Sequence, residues 1–370
     1  MSKSVVGLVD FTFDEEAFRK KIPHKLHPTH LKGVYSTPAP PEEFDPNTAS
    51  RTELIKHGLL WRRPTSSDPP NALAAWDKVF SRKWLAKDRI VPAMHPRPGG
   101  KHYRTFRPNK LLGGPLTTND WAGVVVVPPT GVTSVIGSWM IPSVSKPTQP
   151  SGGDGGWQSA SWVGIDGIYV SNDILQAGVA QNVDLNGNAS YNAWFEWFVS
   201  PPNLENPSPL FPPIDGYPLS WLAQCPYILP IDISNTDFPV NPGDWFYCSV
   251  QYINGNTAGS IFFANGTTGH NFQLTLAPPP SANFNGTTAE WIMEAPDDGE
   301  GNTRYSSSLP RFTPVTFQLA NACDAHGRIY NPASITAEIV NITTDGHTTG
   351  TYLTAVSIPQ PGEVTVEFIG

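Results

Sequence analysis

The chain has 370 residues, 39% of them hydrophobic, with a formal net charge of −8 at pH 7. That is enough to bury a large core in one or two domains, and no apolar run approaches the length of a membrane-spanning helix. Three cysteines, Cys225, Cys248 and Cys323, have no spacing that suggests zinc and allow at most one internal disulfide.

Charge is distributed unevenly. Residues 1–110 hold 20 of the 24 Lys+Arg but 11 of the 32 Asp+Glu, which makes them +9 against −17 for the remainder. One physical explanation is a basic segment held against an acidic body. The other is an independent basic domain. Its basic residues form no compact nucleic-acid-binding motif, so no nucleic-acid partner is expected. No secretory signal is read at the N-terminus. The apolar run in Met1–Asp10 is short, and Asp10, Asp14, Glu15 and Glu16 follow closely.

Residues 1–49 are rich in Pro and charge and read as irregular. Ser50 and Glu53 have capping-box spacing, with Gly58 stopping a short helix. Residues 71–87 predict a second helix, with Leu73, Trp76, Phe80 and Trp84 on one stripe that needs a body to pack against. Residues 94–110 read as a linker or a strap across a surface. From about residue 115 short β-rich runs recur between turn signals. They include Gly123–Val127, Ser134–Met140, Ala193–Val199, Trp245–Gln251, Ser260–Phe263, Phe272–Leu276, Val315–Leu319, Ile335–Ile342 and Glu363–Ile369. Such punctuation predicts an all-β antiparallel sandwich or barrel. The division expected is 1–112 as a basic, partly helical prosegment or accessory region and 113–370 as the β domain.

Common catalytic plans are poorly supplied. There is no HExxH, no GxSxG elbow, no paired Asp-Thr/Ser-Gly loops and no phosphate-binding glycine loop. What remains is a set of acidic, amide and aromatic residues in strand-like runs. In Ala289-Glu290-Trp291-Ile292-Met293-Glu294, alternation puts Glu290, Ile292 and Glu294 on one face. In Trp162-Val-Gly-Ile-Asp166-Gly it groups Trp162, Gly164 and Asp166. In Trp194-Phe-Glu196-Trp-Phe198 it groups Trp194, Glu196 and Phe198, and Gln176 ends the small apolar run Ile174-Leu175-Gln176. Each run alone reads as core aromatics, solvated edge glutamates and, at Gln176, a turn residue.

Taken together and in this order, these runs resemble the glutamic peptidase (eqolisin) family. The resemblance extends from Asn119-Asp-Trp-Ala-Gly123 to the C-terminus. It implies a concanavalin-like sandwich of two large antiparallel sheets and an acid-active endopeptidase. The implied catalytic pair is Gln176 and Glu294, with Trp162, Asp166, Glu196 and Glu290 as supporting or substrate-contacting groups. It further implies protein or peptide substrates, no cofactor or metal, no membrane partner, a monomer, secretion, and an inhibitory N-terminal segment. The sequence departs from the family pattern at Asn192, where many members carry Asp, and at Met293 and Ala295. It also lacks the cysteine that usually follows the Val-Gly-Ile-Asp-Gly run. Two other readings stay open at this point. One is a non-catalytic sandwich that binds carbohydrate or peptide, and the other is a glycosidase using Glu290 or Glu196 with Glu294.

Overall fold

The structure is a computed structural model. It describes residues 13–22, 25–57, 59, 63–66, 68, 70–81, 85–97, 116–148, 156–168, 173–202, 213–253, 257–296, 308–334 and 337–370. The N-terminal part contributes α1 (Glu15–Lys21), β1 (His27–Pro28), β2 (Val34–Ser36), α2 (Arg51–Lys56), α3 (Pro70–Phe80) and β3 (Met94–Pro96). There follow β4 (Leu116–Thr118), β5 (Trp121–Val126), β6 (Val132–Met140), β7 (Val144–Ser145), β8 (Trp157–Asp166), β9 (Asp173–Val183) and β10 (Ala189–Val199). After α4 (Leu219–Gln224) come β11 (Ile231–Ile233), β12 (Trp245–Ile253), β13 (Ala258–Asn265), β14 (Asn271–Leu276) and β15 (Ala289–Glu294). The chain ends with β16 (Arg311–Phe312), β17 (Val315–Asp324), β18 (Ile329–Tyr330), β19 (Ala337–Ile342), β20 (Thr354–Ser357) and β21 (Val364–Phe368).

Among the described residues these strands form two large sheets. The nine-stranded sheet runs β3-β11-β10-β9-β8-β15-β5-β19-β4. The ten-stranded sheet runs β1-β2-β14-β13-β12-β6-β17-β21-β20, with β18 also paired to β17. The protein is therefore an all-β sandwich of two large sheets, antiparallel except where β4 joins β19 in parallel.

Strand alternation sets which side chains fill the sandwich. Trp291 of β15 reaches the opposite sheet, its indole N–H donating to the Ile136 carbonyl at 2.7 Å. Trp139 of β6 reaches back to Ser161 Oγ at 3.0 Å. Trp291 and Met293 thus occupy the core, and Glu290, Ile292 and Glu294 point to the outer side of the nine-stranded sheet.

The N-terminal part is built onto both sheets rather than standing beside them. β2 pairs with the β14 edge and β3 with the β11 edge. The helix stripe read from sequence packs on the outer face of the ten-stranded sheet: Trp76 and Phe80 are buried with Ile136, Tyr247, Phe262 and Leu319. The capping box forms, Glu53 accepting from the Ser50 N–H at 2.9 Å. The helix itself is shorter than read, ending at Phe80 with a 3₁₀ turn at Ala86–Asp88. The first residues of the supposed strap, Met94–Pro96, are an edge strand. Gly58, Trp84 and residues 98–110 lie outside the described residues.

Because Trp76 is fully buried and its indole N–H donates to Asn47 Oδ1 at 3.0 Å, Trp76→Ala should cost about 3–5 kcal/mol. Calorimetry should record a lower melting temperature, and amide exchange in α3 should rise. An unchanged melt with unchanged exchange would contradict this packing.

Candidate active site

The site residues come from five neighbouring strands of the nine-stranded sheet. Across one row, Glu196 of β10 lies opposite Gln176 of β9, Gln176 opposite Gly164 of β8, and Gly164 opposite Glu290 of β15. Two residues along, Trp194, Gly178, Trp162 and Ile292 form the next row. The third row is Asn192, Ala180, Ala160, Glu294 and, on β5, Trp121. Residues in register across a sheet share a face, so Gln176, Glu196, Trp162, Glu290, Glu294 and Trp121 gather on one outer surface. Gln176 and Glu294 lie on a diagonal of that surface, two strands and four residues apart.

Trp162 lies along the diagonal. Its indole N–H donates to Glu294 Oε2 at 2.7 Å. The far end of its ring covers Gly164, where a Cβ would lie 2.7 Å from Trp162 Cζ3 and 3.4 Å from Gln176 Cβ. Any larger residue at 164 would push the ring off. Gly178 serves the same strand pair from the other side, since a Cβ there would lie 2.1 Å from the Ser161 carbonyl. A second indole completes the hold on Glu294, Trp121 Nε1 donating to Oε1 at 3.0 Å. The two rings meet edge to face, 4.9 Å apart at 77°. Gln176 Nε2 donates to Glu196 Oε2 at 3.0 Å, which orients the amide.

The surface is closed to water in the full-length chain. Gln176, Glu196 and Glu290 are 0% exposed and Glu294 is 1% exposed. Burial pushes the Glu294 carboxyl well above its usual range. The Asp120 charge adds to the rise, the two indole N–H groups oppose it, and Glu196 adds a further upward push. Burial likewise pushes Glu290 well above its usual range, and Asp166 adds to that rise.

Asp166 departs from the expected alternation. Its φ of 71° turns the end of β8, and its carboxylate accepts from Tyr252 Oη at 3.0 Å, from the N–H groups of Gly286 and Thr287, and from the Thr287 hydroxyl. Tyr252 belongs to the ten-stranded sheet, so Asp166 ties the two sheets and the loop before β15 together. It meets Glu290 through its charge.

Three participants were not singled out in the sequence. Trp121 lies within the Asn119–Gly123 run, but its approach to Glu294 depends on the β5–β15 register, which no local pattern carries. The others are at the β11 edge. Asp232 accepts from Asn192 Nδ2 at 2.7 Å and from Arg97 Nε at 2.9 Å, and a second Arg97 N–H completes a two-point ion pair. Asn192, at one of the positions that departs from the family pattern, thus anchors the acceptor for an N-terminal arginine. Among the described residues no group of three or more His, Cys, Asp or Glu is placed to hold a metal ion. The three cysteines are free and buried.

Fold and site together define a two-sheet β-sandwich protein with an acid, an amide and two indoles gathered on one sheet surface. The Peptidase A4 family model matches residues 119–368, and the chain belongs to that family. It is similar to aspergillopepsin-2 of Aspergillus niger, 28% identical over 265 residues, covering 68% of this chain and 78% of the relative. Scytalidopepsin B of Scytalidium lignicola is 25% identical over 227 residues, covering 60% of this chain and 71% of the relative. Among solved structures, scytalido-glutamic peptidase with a peptide-based transition state analog is 21% identical and superposes with a TM-score of 0.48, covering 68% of this chain and 100% of that one. The protein is accordingly a peptidase, a hydrolase of the glutamic type.

A group whose folded-state pKa lies above its unfolded value keeps its proton longest in the folded chain. As pH rises past the ordinary value of 4.5, the unfolded chain ionises first and the fold loses stability. A Glu294→Gln chain escapes this loss. Its melting temperature relative to wild type should therefore climb as pH rises above the ordinary value of 4.5. A gap that stays constant with pH would contradict the raised carboxyl.

Proposed function

We propose that this protein is an acid-active endopeptidase in which Glu294 activates water and the Gln176 amide stabilises the oxyanion. The observation that carries this reading is the Glu294 carboxyl clasped by Trp121 and Trp162, with Trp162 extending from it to Gln176. As a carboxylate, Glu294 takes a proton from water while the water attacks the scissile carbonyl. Gln176, oriented by Glu196, donates its amide N–H to the developing oxyanion. Protonated Glu294 then delivers its proton to the leaving amine.

The raised carboxyl fits this scheme once the closed surface is considered. Burial is the largest cause of the rise, whereas the two indole N–H donors favour the charged form. Admitting water removes the burial penalty and leaves the donors in place. Closure therefore favours the neutral acid, and opening favours the carboxylate that the reaction needs.

The N-terminal part acts as the lock. β3 occupies an edge of the catalytic sheet, pinned through Arg97 and Asp232, and the +9 against −17 imbalance supplies a longer-range attraction. Acid weakens that attraction as carboxylates are neutralised. His57, packed on Phe44 with ring centroids 4.4 Å apart, is pushed down to about 4 by burial, with Lys56 and Arg89 adding to the fall. The docked form therefore resists protonation at His57. It loses stability relative to the released form as pH falls from the ordinary value of 6.5 toward 4.

Denatured casein should be hydrolysed in acid, with activity fading toward neutrality, and the chain should clip itself near residues 95–118 on acidification. Gln176→Ala and Glu294→Ala should each lower hydrolysis by roughly 10²–10⁴-fold and stay full length. Arg97→Ala should be clipped several-fold faster than wild type. Rates that rise steadily to pH 8, or variants clipped like wild type, would overturn the scheme.

A further inference from the structure

Glu290 is the outer-surface carboxyl that the proposed chemistry leaves unused. It is 0% exposed, and among the described residues neither of its oxygens has a hydrogen-bond partner. Two residues upstream, the buried Thr288 hydroxyl also has no partner of good hydrogen-bond geometry among the described residues, yet it lies close enough to favour a charged Glu290. Buried polar groups are ordinarily satisfied, and a native exception calls for an explanation. Stability does not supply one, because an apolar side chain would fill the same place without the penalty. Position does suggest one. Glu290 stands in the row of Gln176 and Glu196, separated from Gln176 by Gly164, over which the end of the Trp162 ring lies.

The charged and titratable groups around Glu290 are all acidic or phenolic. Asp166 lies at the end of β8, with Tyr252 behind it. Glu196 is in the same row on β10, and Glu338 of β19 lies across Val125. No cation faces it among the described residues, and burial favours its neutral form. A neutral carboxylic acid offers one donor and one acceptor side by side. An extended peptide residue presents its own N–H and C=O to the same side, as residues do when they exchange both bonds across an antiparallel pair.

We infer that Glu290, as a neutral acid assisted by the Thr288 hydroxyl, forms a subsite that hydrogen-bonds the main chain of one extended substrate residue beside Gln176. This inference rests on Gln176 and Glu294 being the catalytic pair. Main-chain recognition at this subsite holds the peptide without selecting its side chain. Ionisation of Glu290 removes the donor and weakens the grip, so substrate binding deteriorates as pH rises while the chemical step keeps its own pH dependence.

The test is KM and kcat against pH for a peptide substrate, using the full chain after acid incubation. Wild-type KM should rise at pH values above the ordinary carboxylate range. Glu290→Gln, whose amide donates and accepts at every pH, should lack that rise. Glu290→Leu should raise KM by about tenfold or more at acid pH, since both main-chain hydrogen bonds are lost, with a smaller change in kcat. It should also melt no lower than wild type. A wild-type KM limb in Glu290→Gln, or an unaltered acid KM in Glu290→Leu, would overturn the subsite. If Glu290→Leu fails to fold, the Glu290→Gln profile decides. Turnover persisting in Glu294→Gln would instead overturn the catalytic pair and leave the KM results of the Glu290 variants to stand or fall separately.

Discussion

The structure of the site depends on one carboxyl held between two indoles. Trp121 and Trp162 each donate an N–H to a different oxygen of Glu294, and the two rings support each other edge to face. Indole N–H groups donate without accepting, so they favour the carboxylate without themselves titrating. Burial works against them and prevails while the surface is closed. The balance between these two effects makes the proton on Glu294 sensitive to whether water has access. That sensitivity links opening of the surface to the appearance of a base in the proposed reaction.

Sheet register does the positioning. Trp162 lies along the diagonal between Gln176 and Glu294, with Gly164 leaving room for its ring and Gly178 for the close approach of the β8 backbone. Glu196 fixes the amide from the neighbouring strand. Asp166 sits apart from this surface yet secures it, since its left-handed φ carries the carboxylate to Tyr252 and to the loop that leads into β15. A residue grouped with the site by its place in the sequence thus serves as a tie between the two sheets.

Much of this was legible in the residues. The strand runs from Gly123 onward recur in the structure within a few residues of their expected bounds, because turn signals and β-branched runs are local properties. Alternation in Ala289–Glu294 correctly put both glutamates on one side. It could not tell that this side is buried, because all six residues of that strand are enclosed. Register was not legible, so Trp121 and Asp232 were passed over. The helix stripe predicted a packing partner for Trp76 and Phe80 and found it on the ten-stranded sheet. The edge strand at Met94–Pro96 was missed, since three residues ending in proline carry too little pattern to mark a strand.

The N-terminal part is joined to the body more by apolar surface and edge pairing than the charge imbalance suggested. Its described contacts include two buried apolar clusters, the β2 and β3 edge pairings and the Arg97–Asp232 pair. Long-range attraction and local packing therefore act together, and acid changes the first more readily than the second. The most direct measurement is a carbon-13 NMR titration of the Glu294 carboxyl in a full-length Gln176→Ala chain, with the resonance assigned by its loss in Glu294→Gln. The account predicts a midpoint clearly above the ordinary 4.5 while the chain is intact. A midpoint at or below that value would mean that the indole clasp outweighs burial even in the closed chain, and the proposed coupling between opening and ionisation would be wrong.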